Sequence, residues 1–196
     1  MMILPTKFAR HRQTYRLLPL AIAWSVGVSM LAGPPETLEY QVKAAFLYNF
    51  AKFVEWPLPA LGPPGSPIVV AVLGKDPFGS QLEQTFGNKT VQGRTIVVRR
   101  GEKLDDVKGC HILFVSSSEK RHLQQIFEAL KKSSVLTVGE VDHFAELGGM
   151  INFVLENDKV HFEINVGSAE RSGLKISSQL LRLAKVVKAA QPLGGD

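Results

Sequence analysis

The segment Ile68-Val69-Val70-Ala71-Val72-Leu73 carries no polar side chain at either parity. Successive strand side chains point to opposite faces, so a strand of this kind needs cover on both sides. Gly74-Lys75-Asp76-Pro77 follows directly. That order predicts a turn into a helix, with Asp76 as N-cap and Pro77 at the first helical position. A doubly covered strand feeding a helix is how parallel sheets between helix layers begin.

The alternation continues down the chain. The Leu82 and Phe86 spacing predicts the inner face of that helix, closed by Gly87-Asn88, and a strand region follows around a Gln92-Gly93 turn, at Thr90-Val91 and 95–98. Residues 103–108 read as one or two helical turns, 111–115 as a buried strand, and 118–132 as a helix capped by Ser118 and carried by Leu123, Ile126, Phe127 and Leu130. A strand is expected at 135–138. Asp142 then caps a short helix closed by Gly148-Gly149. Residues 150–155 and 160–164 flank Glu156-Asn157-Asp158-Lys159 as a hairpin. Ser168 opens a short helix to 172, and Ser177 or Ser178 caps a last one with Leu180, Leu181, Ala184 and Val187 inward. The expected fold class is α/β: a single domain whose mainly parallel sheet is flanked by helices, with an antiparallel hairpin near one edge.

Composition is that of a globular protein, 45% hydrophobic and 21% charged over 196 residues, which excludes a disordered or collagen-like chain. The net charge of +5 is unevenly placed. Residues 1–33 hold Lys7, Arg10, Arg12 and Arg16 and no acid, leaving 19 basic against 18 acidic side chains elsewhere. The body therefore has no electrostatic case for nucleic acid. The four charges precede an uncharged apolar run from Leu17, then small residues and Pro34-Pro35. This reads as a secretory signal peptide over residues 1–33, ahead of an exported domain at 34–196. The run is short for a membrane span. Met30 and Ala32 are not an Ala-x-Ala pair, so an uncleaved signal anchor is the competing reading.

The common chemistries find no foothold. Gly74 to Ser80 sits where a phosphate loop would, yet it lacks the Lys-Ser/Thr pair, and Pro77 removes a backbone donor. His111, His122, His143, His161 and Cys110 show no metal-ligand spacing. His161 and Glu163 share one strand face, which an ordinary hairpin supplies without a metal. Cys110 has no base on its own side of the strand, because His111 points oppositely. Gly167-Ser168-Ala169 lacks the nucleophile elbow. Arg94, Arg99, Arg100 and Lys103 form the densest basic patch, without interleaved aromatics. No catalytic residue, metal site or cofactor site is expected, and the chain reads as a non-enzyme. A small-ligand sensor using the crevice near Gly74 and Ser116 is the alternative, with an uncharacterised hydrolase behind it.

One helix is harder to dismiss. Over residues 37–55, Leu38, Val42, Ala45, Phe46, Asn49 and Phe53 recur at helical spacing, with Glu39, Lys43 and Lys52 off that stripe. Phe50 and Val54 widen the face, and Trp56-Pro57 ends the helix. Phe46, Phe50, Phe53, Trp56 and Tyr48 together cover more than a surface helix needs to bury. Two readings stand level: the whole face packs in the core, or part of it is an exposed docking surface.

Several stretches together resemble the YfiR family of exported bacterial proteins. They are residues 39–57, Val72-Leu73-Gly74-Lys75-Asp76-Pro77-Phe78-Gly79, Gly148-Gly149-Met150-Ile151-Asn152-Phe153, Phe162-Glu163-Ile164-Asn165, and residues 174–181. The likeness spans about 36–188. It implies an α/β fold, a periplasmic location, homodimerisation, and a non-enzymatic regulator that binds the sensory domain of an inner-membrane diguanylate cyclase and restrains cyclic-di-GMP synthesis, with no cofactor. Cysteine pairs that respond to redox state are part of the pattern, and here Cys110 stands alone. Lys43, Phe46, Tyr48, Phe50, Phe53 and Trp56 are the candidate partner contacts. Gly148, Gly149, Asn152 and Asn165 are candidates for a structural or binding role around the hairpin.

Overall fold

The computed structural model describes residues 35–189. The leader expected over 1–33 lies outside them. The first element is helix α1 (Pro35–Phe53), which runs straight into a two-residue strand, β1 (Val54–Glu55). Strand β2 (Ile68–Leu73) is buried at all six positions, as a doubly covered strand must be. Around it the chain lays down α2 (Gln81–Phe86), β3 (Thr90–Val91), β4 (Arg94–Gly101), β5 (Ile112–Val115), α3 (Leu123–Leu130) and β6 (Leu136–Gly139). The last third supplies β7 (Ile151–Glu156), β8 (Lys159–Asn165), α4 (Val166–Arg171), β9 (Lys175–Ile176), α5 (Ser178–Leu181) and β10 (Lys185–Val187).

Eight strands form one sheet in the order β10-β8-β7-β6-β5-β2-β4-β3, and β1 pairs antiparallel with β9 in a separate ribbon. The core of the sheet, β4-β2-β5-β6-β7, is parallel; β7–β8 and β3–β4 are antiparallel hairpins, and β10 joins β8 in parallel. Alternate residues of each strand serve opposite layers. Val70, Val72, Phe114, Val138, Phe153 and Phe162 pack towards α1 and α2, while Ala71, Leu73, Leu113 and Val115 pack towards α3. The α/β class and the mainly parallel sheet are as the sequence predicts.

Both two-residue turns follow from local chemistry. Gln92-Gly93 and Asn157-Asp158 all have positive φ, the conformation that matches the twist of a tight hairpin. Elsewhere tertiary context overrides the local signal. Asp76 is not the N-cap of α2: its Oδ1 accepts from the Phe78 amide 2.8 Å away, closing a turn, and the helix starts only at Gln81. The helix expected from Ser118 begins as a 3₁₀ segment, Ser117–His122, with Ser116 as N-cap. Residues 142–148 form turns instead of a helix. The last helix stops at Leu181, and Lys185–Val187 is an edge strand, so Val187 does not line a helix.

The orientation of α1 is the largest correction. Its buried residues are Lys43, Ala44, Leu47, Phe50 and Ala51, continued by Val54 of β1. Leu38 and Val42, assigned to the inner stripe by spacing, are 52% and 44% exposed. At 100° per residue the two stripes lie roughly 140° apart. The helix is apolar enough on both for either to face inward. Phe50 decides it: its ring stacks on Phe153 at 5.7 Å and meets Phe162 edge-on at 5.3 Å.

Candidate functional site

Turning α1 this way buries a lysine. Lys43 Nζ donates to Glu140 at 2.7 Å and pairs with Glu39 one turn earlier at 2.5 Å, and it lies 4.5 Å from the Tyr40 ring centroid. The Tyr40 hydroxyl donates to the same Glu140 carboxylate at 3.1 Å. Glu140 stands immediately after β6, so this cluster ties α1 to the carboxyl end of the sheet. A buried ammonium is tolerable only with such partners. Lys43 is therefore a core residue. Phe50 is fully buried and Trp56 nearly so, its ring 6.2 Å from that of His111. None of these three can meet a partner on the surface.

The other three candidates remain accessible but do not form one patch. Phe46 and Phe53 lean towards α5, where Asn49, Gln179, Arg182 and Leu183 complete a groove of about 280 Å³. Leu183 is 71% exposed. Tyr48 lies on the opposite flank of α1, its hydroxyl donating to the Thr90 carbonyl at 3.4 Å and its ring faced by Lys52 and Lys89. The outer side of α1 thus exposes Leu38 and Val42, while half-buried Phe46 and Phe53 line the groove beside Leu183. Spacing had nominated four of these five as inward residues. Leu183 was missed because the sequence reads on as helix through the point where the chain leaves α5 for β10.

The glycine and asparagine positions are explained by packing. Phe144 is fully buried, and a Cβ on either Gly139 or Gly149 would run into its ring. Gly148 adopts φ 122°, a backbone that L residues rarely take. Asn165 Nδ2 donates to the Ala145 carbonyl at 2.7 Å while its Oδ1 accepts from the Ser168 amide at 3.0 Å, so it ties the turn region 142–148 to the cap of α4. Asn152 is buried between Gly139 and Glu163 in the ladder, and its Nδ2 lies 3.4 Å from Glu163 Oε2.

The crevice near Gly74 and Ser116 is filled by the protein itself. It lies at the carboxyl ends of β2 and β5, where open α/β sheets usually hold ligands. Here Ser118 Oγ accepts from the Lys75 amide at 3.0 Å and donates to Glu119 Oε1 at 3.1 Å. Both side chains sit on Gly74, whose missing Cβ leaves them the space. The ligand-sensor alternative therefore loses the place it was assigned.

The titratable groups have structural employment. Arg100 donates to Asp76, Glu83 and the Gly79 carbonyl, which pushes its own pKa up and holds Glu83 below the usual carboxylate range. Arg94 reaches the carbonyls of Leu61, Pro63 and Ser66, and Arg99 that of Lys108. The basic patch thus pins loops. Burial raises the Cys110 thiol to about 11 and lowers the His111 imidazole, whose Nδ1 accepts from the Val69 amide at 3.0 Å. A thiol in that state is a poor nucleophile. Glu163 pairs with Lys185 at 2.9 Å. Among the described residues there is no group of three or more His, Cys, Asp or Glu that could hold a metal, and no helix long and apolar enough to cross a membrane.

Comparison with known proteins adds two findings. The protein-family description YfiR/HmsC-like matches residues 40–185, nearly all of the described fold. Among solved structures, the ABC domain from Streptococcus pneumonia, in complex with L-Trp, is similar at 12% identity with a TM-score of 0.46. That match covers 78% of this chain, which spans 60% of the other's length.

Proposed function

This chain belongs to the YfiR/HmsC-like family, and from that premise we propose a periplasmic repressor of an inner-membrane diguanylate cyclase. The family regulates such cyclases in the periplasm. The leader at residues 1–33 delivers the domain at 34–196, and the domain binds the sensory part of the cyclase and lowers cyclic-di-GMP synthesis. Homodimerisation belongs to the same proposal, with the open edge at β10, where Val186 is 56% exposed, as its meeting surface.

One observation carries the reading: the outer side of α1 exposes Leu38 and Val42, and further along the same helix half-buried Phe46 and Phe53 border a groove beside exposed Leu183. Exposed apolar residues gathered along one helix and its neighbour suit a protein partner better than solvent. No bond needs to be made or broken. A repressor must bind one conformation of its receptor more tightly than the other, and a near-complete switch takes a preference of about 10⁴-fold.

Deleting the gene is expected to raise cellular cyclic-di-GMP, and the wild-type gene to restore it. Genes carrying Val42→Asp or Phe53→Asp should fail to restore it although the proteins accumulate folded in the periplasm. If the deletion leaves cyclic-di-GMP unchanged, the repressor reading is wrong. If both variants complement fully, the outer side of α1 is not the contact surface.

A further inference from the structure

On the α3 side of the sheet, away from the outer face of α1, lies a groove of about 210 Å³ between α3, the turn region before β7, and α4. Its walls are of two kinds. Phe127, Leu147 and Met150 supply apolar surface, and Arg171 and Ser168 supply polar groups close together.

The arginine is unusually placed for a helix-end side chain. Arg171 folds back along its own helix, and its Nη2 donates to Ser168 Oγ at 2.9 Å. Gly167 makes room, since a Cβ there would stand 3.3 Å from Arg171 Nη1. Ser168 is buried and cannot move away. No carboxylate among the described residues lies within ion-pair distance of Arg171. The groove's other charges, Lys131 and Glu128, sit 3.3 Å apart and offset each other. The lining therefore has a net charge of +1, concentrated on a guanidinium fixed by a buried hydroxyl.

We propose that this groove binds a small organic monocarboxylate, the carboxylate on Arg171 and the apolar body against Phe127, Leu147 and Met150. A planar guanidinium matches a carboxylate in a paired geometry that a lysine cannot offer. The single net charge fits a monoanion, and the apolar walls give reason for a carbon skeleton behind it. The inference does not depend on the repressor reading, because the site lies on other elements and its test measures binding alone.

Benzoate titrated into the isotope-labelled protein should produce saturable shifts in the Gly148, Ser168 and Ser172 amide signals. For a probe of this size the dissociation constant is expected on the order of 1–10 mM. Arg171→Ala should weaken binding about tenfold or more, with Arg171→Lys between the two. The alanine variant should stay folded, its melting temperature falling by no more than the few degrees that losing the Ser168 hydrogen bond costs. Benzamide, which keeps the ring and loses the charge, should bind weaker by a similar factor. Shifts that do not saturate, benzamide binding equal to benzoate, or an Arg171→Ala protein that binds as before would each overturn the proposal. So would inorganic phosphate binding as tightly as benzoate, because a bare anion has no use for the apolar walls.

Discussion

Replacing Gly149 by alanine adds one methyl group at a place where none fits. The new Cβ would land on the Cδ1 and Cε1 edge of the Phe144 ring and stand 2.8 Å from the Phe144 carbonyl oxygen. The ring cannot retreat. Gly139 lies against its other edge just as closely, and Phe127 meets it edge-on at 5.1 Å between centroids. Relief must come from shifting the backbone of 149–150, which leads into β7 next to the hydrogen bond from the Met150 amide to Thr137 Oγ1 at 3.1 Å. Overpacking of this kind costs about 1–3 kcal/mol. With no free side on the ring, the upper half is expected, about 2–3 kcal/mol, which lowers the melting temperature by roughly 5–10 °C in a domain of this size. Urea unfolding followed by circular dichroism measures it. The double variant Gly149→Ala, Phe144→Leu separates this cause from others. Phe144→Leu alone is destabilising, but on that background the added methyl should cost at least 1 kcal/mol less, by the logic of a mutant cycle. Gly149→Ala within about 0.5 kcal/mol of the parent, or additive costs in the double variant, would refute the steric account.

Three further outcomes are expected. Glu140→Ala leaves Lys43 buried with one remaining acid and should destabilise by about 3 kcal/mol, whereas Lys43→Met in the Glu140→Gln background should recover most of that loss in the same urea assay. His111 is held neutral because burial lowers its folded-state pKa below the ordinary 6.5. The stabilisation from that depressed pKa is therefore complete above pH 6.5 and declines as pH falls towards the folded value, by at most about 1.4 kcal/mol per pH unit; His111→Gln should flatten that limb of the stability–pH curve. The Cys110 thiol, raised to about 11, should resist a disulfide reagent at pH 8 in the native protein and react at once in urea. Rapid labelling of the folded chain would contradict its burial.

The sheet was legible because its strands announce themselves locally. Residues 68–73 and 112–115 are apolar at both parities, and Gln92-Gly93 and Asn157-Asp158 are residues that accept positive φ. The pieces that escaped depend on distant partners. The β1–β9 ribbon is two residues long on each side and joins positions more than a hundred apart, so no window contains it. Lys185–Val187 reads as a helix continuation until β8 offers it an edge. The face of α1 was ambiguous because both of its stripes are apolar. What settled it was the aromatic pair Phe153 and Phe162 from the far hairpin, together with Glu140, which supplies the counter-charge that makes an inward Lys43 acceptable. Of the six expected contact residues, the structure keeps Phe46, Tyr48 and Phe53 within reach of solvent and places Lys43, Phe50 and Trp56 inside.

Ser118 and Glu119, seated on Gly74, have a consequence for how such a domain can change. At the end of the sheet where open α/β folds usually offer a ligand crevice, two of the protein's own side chains form a stopper, Ser118 holding the Lys75 amide and Glu119 holding Ser118. Ligand-driven motion at that end would first have to break the stopper's hydrogen bonds. Adaptation towards new signals is then easiest along the flanks, where helices can be resurfaced without unlocking the middle.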